Sequence, residues 1–178
     1  MILAIDPGTT ESGWCVFDGT SVVNSGILSN QRMRIAIQDS KAFDLLAVEM
    51  IASYGMPVGR EVFETCVWIG RFLESSRLGL QRVPEDAKLI YRKDVKLHLC
   101  GSLRAKDANI RQALIDRLGP VGTKKEPGPL YGVKSHAWAA LAVAVTAFDG
   151  MRIAEKTQRH VDAAKEGAQS FLDAFPKT

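Results

Sequence analysis

The spacing of apolar positions changes several times along this chain, and each change marks an element. An unbroken apolar run, Met1 to Ile5, ends on Asp6 and predicts a buried strand over 1–6. Alternation through Gly13-Trp14-Cys15-Val16-Phe17 predicts a second strand over 12–18, closed by the turn pair Asp18-Gly19. Residues 21–28 predict a third strand, and a weakly patterned stretch predicts a short helix over 32–42. A second apolar run over 44–49 again stops on a carboxylate, Glu49. Val62, Phe63, Cys66, Ile69, Gly70 and Leu73 then recur at helical spacing, giving a helix over 60–77. A strand over 88–92 leads into a helix over 93–100 that ends near Gly101. The next helix, 107–118, takes Asp107 as its N-cap and stops at Gly119-Pro120. GPVGTKKEPGPLYG reads as an exposed loop. The final elements are a helix over 135–149, opened by Ser135 as N-cap, and a polar helical tail over 151–174.

Three hairpin-like strands followed by strands that alternate with helices predict an α/β domain with a mixed sheet. The division expected is a domain over 1–149 and a helical tail over 150–178. With 46% hydrophobic residues in 178, the chain can build a core and wholesale disorder is excluded. Cys15, Cys66 and Cys100 stand far apart and fit reduced thiols of a cytosolic protein better than a disulfide framework or a zinc site. The longest apolar run, Ala137 to Phe148, falls short of the ~20 residues a bilayer span needs.

The net charge of +3 becomes informative once it is divided. Residues 1–70 hold 4 Lys/Arg against 8 Asp/Glu, residues 71–134 hold 14 against 7, and residues 135–178 hold 5 of each. Solvated helix faces alone could give such a middle. An acidic first third with carboxylates at strand ends, beside a basic middle, also suits a metal-dependent enzyme acting on a polyanion. Asp6 in AIDPGTT has two readings: a turn residue accepting backbone N–H bonds, or part of a metal or phosphate site. Asp6 and Glu49 can meet only if the first and fourth strands are neighbours.

Three blocks, AIDPGTTESGW, LLAVEMIASYG and KSHAWAALAVAVTAF, carry a resemblance. In that order and at that separation, over residues 1–149, they resemble the RuvC-type Holliday-junction resolvases of the ribonuclease H-like superfamily, their phage-encoded relatives in particular. The first block has the family's Asp-Pro-Gly after strand one, the second its strand-end Glu, the third its alanine-rich helix. The resemblance implies a ribonuclease H-like mixed sheet, three antiparallel strands then parallel ones, with helices on both faces. It implies a homodimeric endonuclease that cuts phosphodiesters at four-way DNA junctions with two divalent ions, Mg²⁺ or Mn²⁺. Asp6 and Glu49 would be metal ligands and catalytic groups, with His136 as a third. Hard cations want such oxygen ligands, and two of them activate water and neutralise a phosphodiester.

The third block also departs from the family, whose last helix offers acidic or acid-like residues three apart. Here those positions hold His136 and Ala139. Either His136 is the only ligand from that helix, which favours Mn²⁺, or substitution has inactivated the protein, or the chain binds junctions without cutting them. Asp107 is the nearest compensating carboxylate, against its reading as an N-cap. Tyr54 is a candidate wedge at distorted DNA, and Lys93, Lys96, Arg104, Lys106, Lys124 and Lys125 are candidate DNA contacts. Trp138, inside an apolar helix, reads as core. Phe63, Trp68 and Phe72 form a helix stripe suited to core or dimer interface, and the tail is expected to brace a dimer. Two rivals are weaker. A sugar-kinase-like phosphate turn needs a second half that the chain lacks, and a ribonuclease H-like enzyme acting on RNA is not separated by charge.

Overall fold

A computed structural model describes residues 1–40, 43–53, 55, 57–80 and 87–173. Its elements are β1 (Ile2–Asp6), β2 (Glu11–Phe17), β3 (Val22–Ser29), α1 (Asn30–Asp39), β4 (Leu45–Met50), α2 (Arg60–Leu80), β5 (Ala87–Tyr91), α3 (Arg92–Cys100), α4 (Asp107–Leu118) and α5 (Ala137–Asp173). Met1–Ala147 form one compact unit, and residues from Phe148 onward form a second.

The five strands make one sheet in the order β3-β2-β1-β4-β5. β1, β2 and β3 pair antiparallel, whereas β1–β4 and β4–β5 pair parallel. β1 and β4 lie inside the sheet and are covered on both faces, which is why each reads as a continuous apolar run. On one face Leu3, Ile5, Leu46 and Val48 pack against Met33 and Ile37 of α1 and Ile69 and Phe72 of α2. Each such side chain contributes roughly 1.5–3 kcal/mol when fully buried.

The opposite face begins with the bulky Ile2, Phe17 and Leu45 and narrows to small residues toward the strand ends. Ala4 lies opposite Cys15 and Ala47, and Asp6 lies opposite Gly13. A Cβ on Gly13 would stand 2.5 Å from the His136 backbone, so the chain entering α5 lies directly on β2. The first turns of α5 bury Ala137, Ala140, Leu141, Val143 and Ala144 completely. Helices therefore cover both faces of the sheet, as expected. The apolar content of α5, which by length and hydropathy could cross a membrane, is half buried inside the protein.

Several local expectations need correction. Ser135 does not cap α5; its φ is 44°, and the helix opens at Ala137. Nor does the helix stop near 149, because an interior glycine such as Gly150 costs only ~1 kcal/mol against alanine. Lys106, not Asp107, takes the N-cap position of α4, and its backbone N–H donates to Asn109 Oδ1 at 2.9 Å. The Gly-Pro-Lys loop is mostly exposed, as expected, and it also folds back on itself. Gly122 bridges Pro127, and a Cβ on Gly128 would meet Pro120 O at 2.0 Å, so glycine is required there. Of the three cysteines only Cys15 is fully buried, and burial pushes its thiol up to about 12.

Candidate active site

The turn after β1 is fixed by side chains other than Asp6. Asn30, buried at the start of α1, donates from Nδ2 to Gly8 O at 2.9 Å and accepts the Ser12 hydroxyl at 2.6 Å. A Cβ on Gly8 would lie 2.4 Å from Glu11 O, so only glycine closes this turn. Asp6 is thereby left free of turn duty. Its Oδ2 lies 2.9 Å from His136 Nδ1, which donates when it carries the proton.

Parallel pairing of Ile5 with Val48 sets Asp6 and Glu49 side by side at the ends of neighbouring strands. Both lie on the face that Ala4, Ala47 and Gly13 share with the start of α5. Their side chains are 18% and 13% exposed. Burial raises the Asp6 pKa, against the lowering effect of His136. Burial, and then the charge of Asp6, pushes Glu49 up to about 7. Two carboxylates close together in a low dielectric cannot both ionise cheaply.

A cation already stands against Glu49. Arg92, the first residue of α3, holds Nη1 3.6 Å from Glu49 Oε2, and both atoms are buried without a hydrogen-bond partner. Its Nη2 donates to Asp107 Oδ1. Burial works against the Arg92 charge, but Glu49 and Asp107 outweigh it and hold the guanidinium above its ordinary value. Asp107 is thus engaged with Arg92 in place of capping its helix.

Asp6, Glu49, Arg92, Asp107, His136 and Ala139 line one cavity of about 400 Å³. The structure brings together the three residues singled out as metal ligands, and Asp107 with them. Among the described residues, however, no three of His, Cys, Asp and Glu converge closely enough to form a ready-made metal cluster. Lys93 and Lys96 line a neighbouring cavity of about 280 Å³ with Arg92. Arg104, Lys106, Lys124 and Lys125 are exposed outside these cavities, the last two in the folded-back loop. Tyr54 lies outside the described residues. Trp138 is half-buried and lines the carboxylate cavity, which corrects its reading as core. Phe72 is core, Trp68 packs against it with ring centroids 6.0 Å apart, and Phe63 is 61% exposed.

Sequence reasoning missed Arg92, Asn30 and Ser12. Arg92 stood only among the basic residues of the middle third, and nothing in the sequence pairs it with Glu49. Asn30 sits at a strand–helix junction, where its side chain carries no local signature.

No family model and no curated protein matches the chain in sequence. Solved structures do match. The RuvC structure from Thermus thermophilus superposes with a TM-score of 0.60 at 18% identity, covering 85% of this chain and 95% of that one. The T. thermophilus RuvC in complex with Holliday junction substrate gives 0.57 at 20% identity, over 84% and 93%. The chain therefore has the RuvC, ribonuclease H-like fold over most of its length.

Proposed function

We propose that this protein is a metal-dependent, structure-selective endonuclease that cuts phosphodiesters at four-way or otherwise branched DNA junctions. The observation that carries the reading is the adjacent, mostly buried carboxylate pair Asp6–Glu49 at the strand ends, in a fold whose solved examples include one bound to a Holliday junction. A pair whose burial disfavours its own charge, with Glu49 Oε2 lacking a hydrogen-bond partner, is relieved by a hard cation. These oxygens fit Mg²⁺ or Mn²⁺, and the His136 imidazole beside them favours Mn²⁺. When bound, such a cation supplies Lewis acidity toward the phosphate and makes water a stronger nucleophile.

The chain's own groups do the rest. Asp6 holds the His136 ring in place, and the imidazole stands 66% exposed at the mouth of the cavity, where it can take or give a proton. Arg92 balances charge beside Glu49 before any cation arrives. Lys93 and Lys96 offer ammonium groups to phosphates next to the cleaved one, and Arg104, Lys106, Lys124 and Lys125 extend that surface. Tyr54, after β4, is the candidate for stacking on an opened base. A symmetric homodimer would use the exposed Phe63 and Val67 of α2, with the region from Gly150 as a brace. Such an enzyme would work in the cytoplasm.

Ala139 favours a second reading. It lines the cavity at the point where the resembled family places a carboxylate, leaving no third described acid on α5's first turn. A protein of the same fold could then bind junctions and leave them intact. Cleavage of a synthetic four-way junction in Mg²⁺ and in Mn²⁺, by the chain and by Ala139→Asp, separates the two. Cutting by the unaltered chain, stronger in Mn²⁺, is the expected result. Binding without cutting, with cutting restored by Ala139→Asp, establishes the second reading instead.

A further inference from the structure

We propose that Arg111, whose guanidinium stands over the ring of Trp138, is a binding residue for a backbone phosphate of the DNA strand that crosses the carboxylate pair. The inference rests on the nuclease reading above and adds a substrate contact to it. Arg111 lies one helical turn after Asp107 on α4, and Trp138 lies in the first turn of α5. The guanidinium carbon stands 4.5 Å from the indole ring centroid. Both residues line the same cavity as Asp6 and Glu49.

What holds Arg111 is an aromatic face. A guanidinium held by its charge over an aromatic face keeps N–H donors available, and their fork matches two oxygens of a phosphate. Trp138 is half-buried and so provides a fixed platform, whereas Arg111 is exposed and reachable. The neighbouring residue explains why a cation is tolerated here. Ala139 removes the carboxylate expected beside Trp138, so an anion entering this side of the cavity meets a guanidinium and no opposing acid from that position. The site thereby divides into two: carboxylates at Asp6 and Glu49 suited to cations, and Arg111 suited to the anionic strand.

A surface stack that merely shields Ile110 and Leu114, both buried on α4, would change thermal stability and leave salt dependence alone. The deciding experiment measures binding of a labelled four-way DNA junction by fluorescence anisotropy across a range of NaCl, with the full chain in Ca²⁺. Arg111→Gln should weaken binding about tenfold and lower the slope of log affinity against log salt by about 0.9, the value for one lost phosphate contact. Arg111→Lys should keep the slope and lose part of the affinity, since the ammonium keeps the charge but not the fork. Trp138→Leu should likewise keep the slope while weakening binding. A melting curve for each variant confirms folding. An unchanged slope in folded Arg111→Gln overturns the proposal. If the unaltered chain binds junction no better than duplex, the nuclease reading fails instead, and the same slopes measured on duplex still decide the Arg111 contact.

Discussion

Glu49→Gln should make the metal-free protein more stable at alkaline pH, although it removes a group the proposed reaction needs. Burial and the charge of Asp6 raise the Glu49 pKa from 4.5 in the unfolded chain to about 7 in the fold. The folded state therefore binds the proton more tightly, and ionisation costs folding energy. That cost is absent below pH 4.5, where both states are protonated. It grows as pH rises and is complete above about 7. At ~1.4 kcal/mol for each tenfold change in proton affinity, the full penalty is about 3 kcal/mol. Glutamine keeps the shape and cannot ionise, so the variant escapes it. For a chain of 178 residues, in which 1 kcal/mol moves Tm by roughly 2–4 °C, the gain is about 6–12 °C at pH 8. Thermal melts of both proteins with a chelator present, from pH 4.5 to 8.5, provide the assay. The reasoning is refuted if Glu49→Gln melts at or below the unaltered protein at pH 8. It is refuted equally by a gain of the same size at both ends of the pH range.

Two other outcomes follow from the same geometry. Gly13→Ala should destabilise by about 1–3 kcal/mol, because its Cβ would stand 2.5 Å from the His136 backbone and the start of α5 must move; denaturant melts measure the loss, and an unchanged midpoint contradicts the close approach. Arg92→Gln removes a cation that lowers both carboxyl pKa values, so the Glu49 penalty should still begin near pH 4.5 but level off at a higher pH and grow larger; the pH profile of Tm reads this, and levelling off at a lower pH contradicts it.

How much of this was legible in the sequence follows from how far apart the interacting residues lie. β1 and β4 were visible because strands covered on both faces need apolar residues at every position. Their carboxylate ends stood out against that background, and adjacency needed only the pairing that the alternation of elements suggested. Of the two readings of Asp107, the N-cap one failed: Asp favours helix N-caps locally, but this carboxylate lines the site and serves Arg92, fifteen residues earlier and across a helix–helix junction. Trp138 was read as core because its helix is apolar all round. Only the three-dimensional path shows that the first turn of α5 meets the cavity wall, where one side of the ring faces Arg111. Ser135 looked like a cap, but the close contact with Gly13 dictates how the chain enters α5. The merging of two predicted helices into one reflects the small cost of a glycine against the length of regular helix around it.

Manganese binding tests the central claim most directly. Isothermal titration of the chelator-treated protein with Mn²⁺ at pH 8, where Glu49 is ionised, should give a saturable isotherm that Asp6→Asn and Glu49→Gln each weaken at least tenfold while both variants remain folded. Binding that survives both substitutions unchanged, or no binding by the unaltered chain, would mean that the paired strand-end carboxylates are not a metal site.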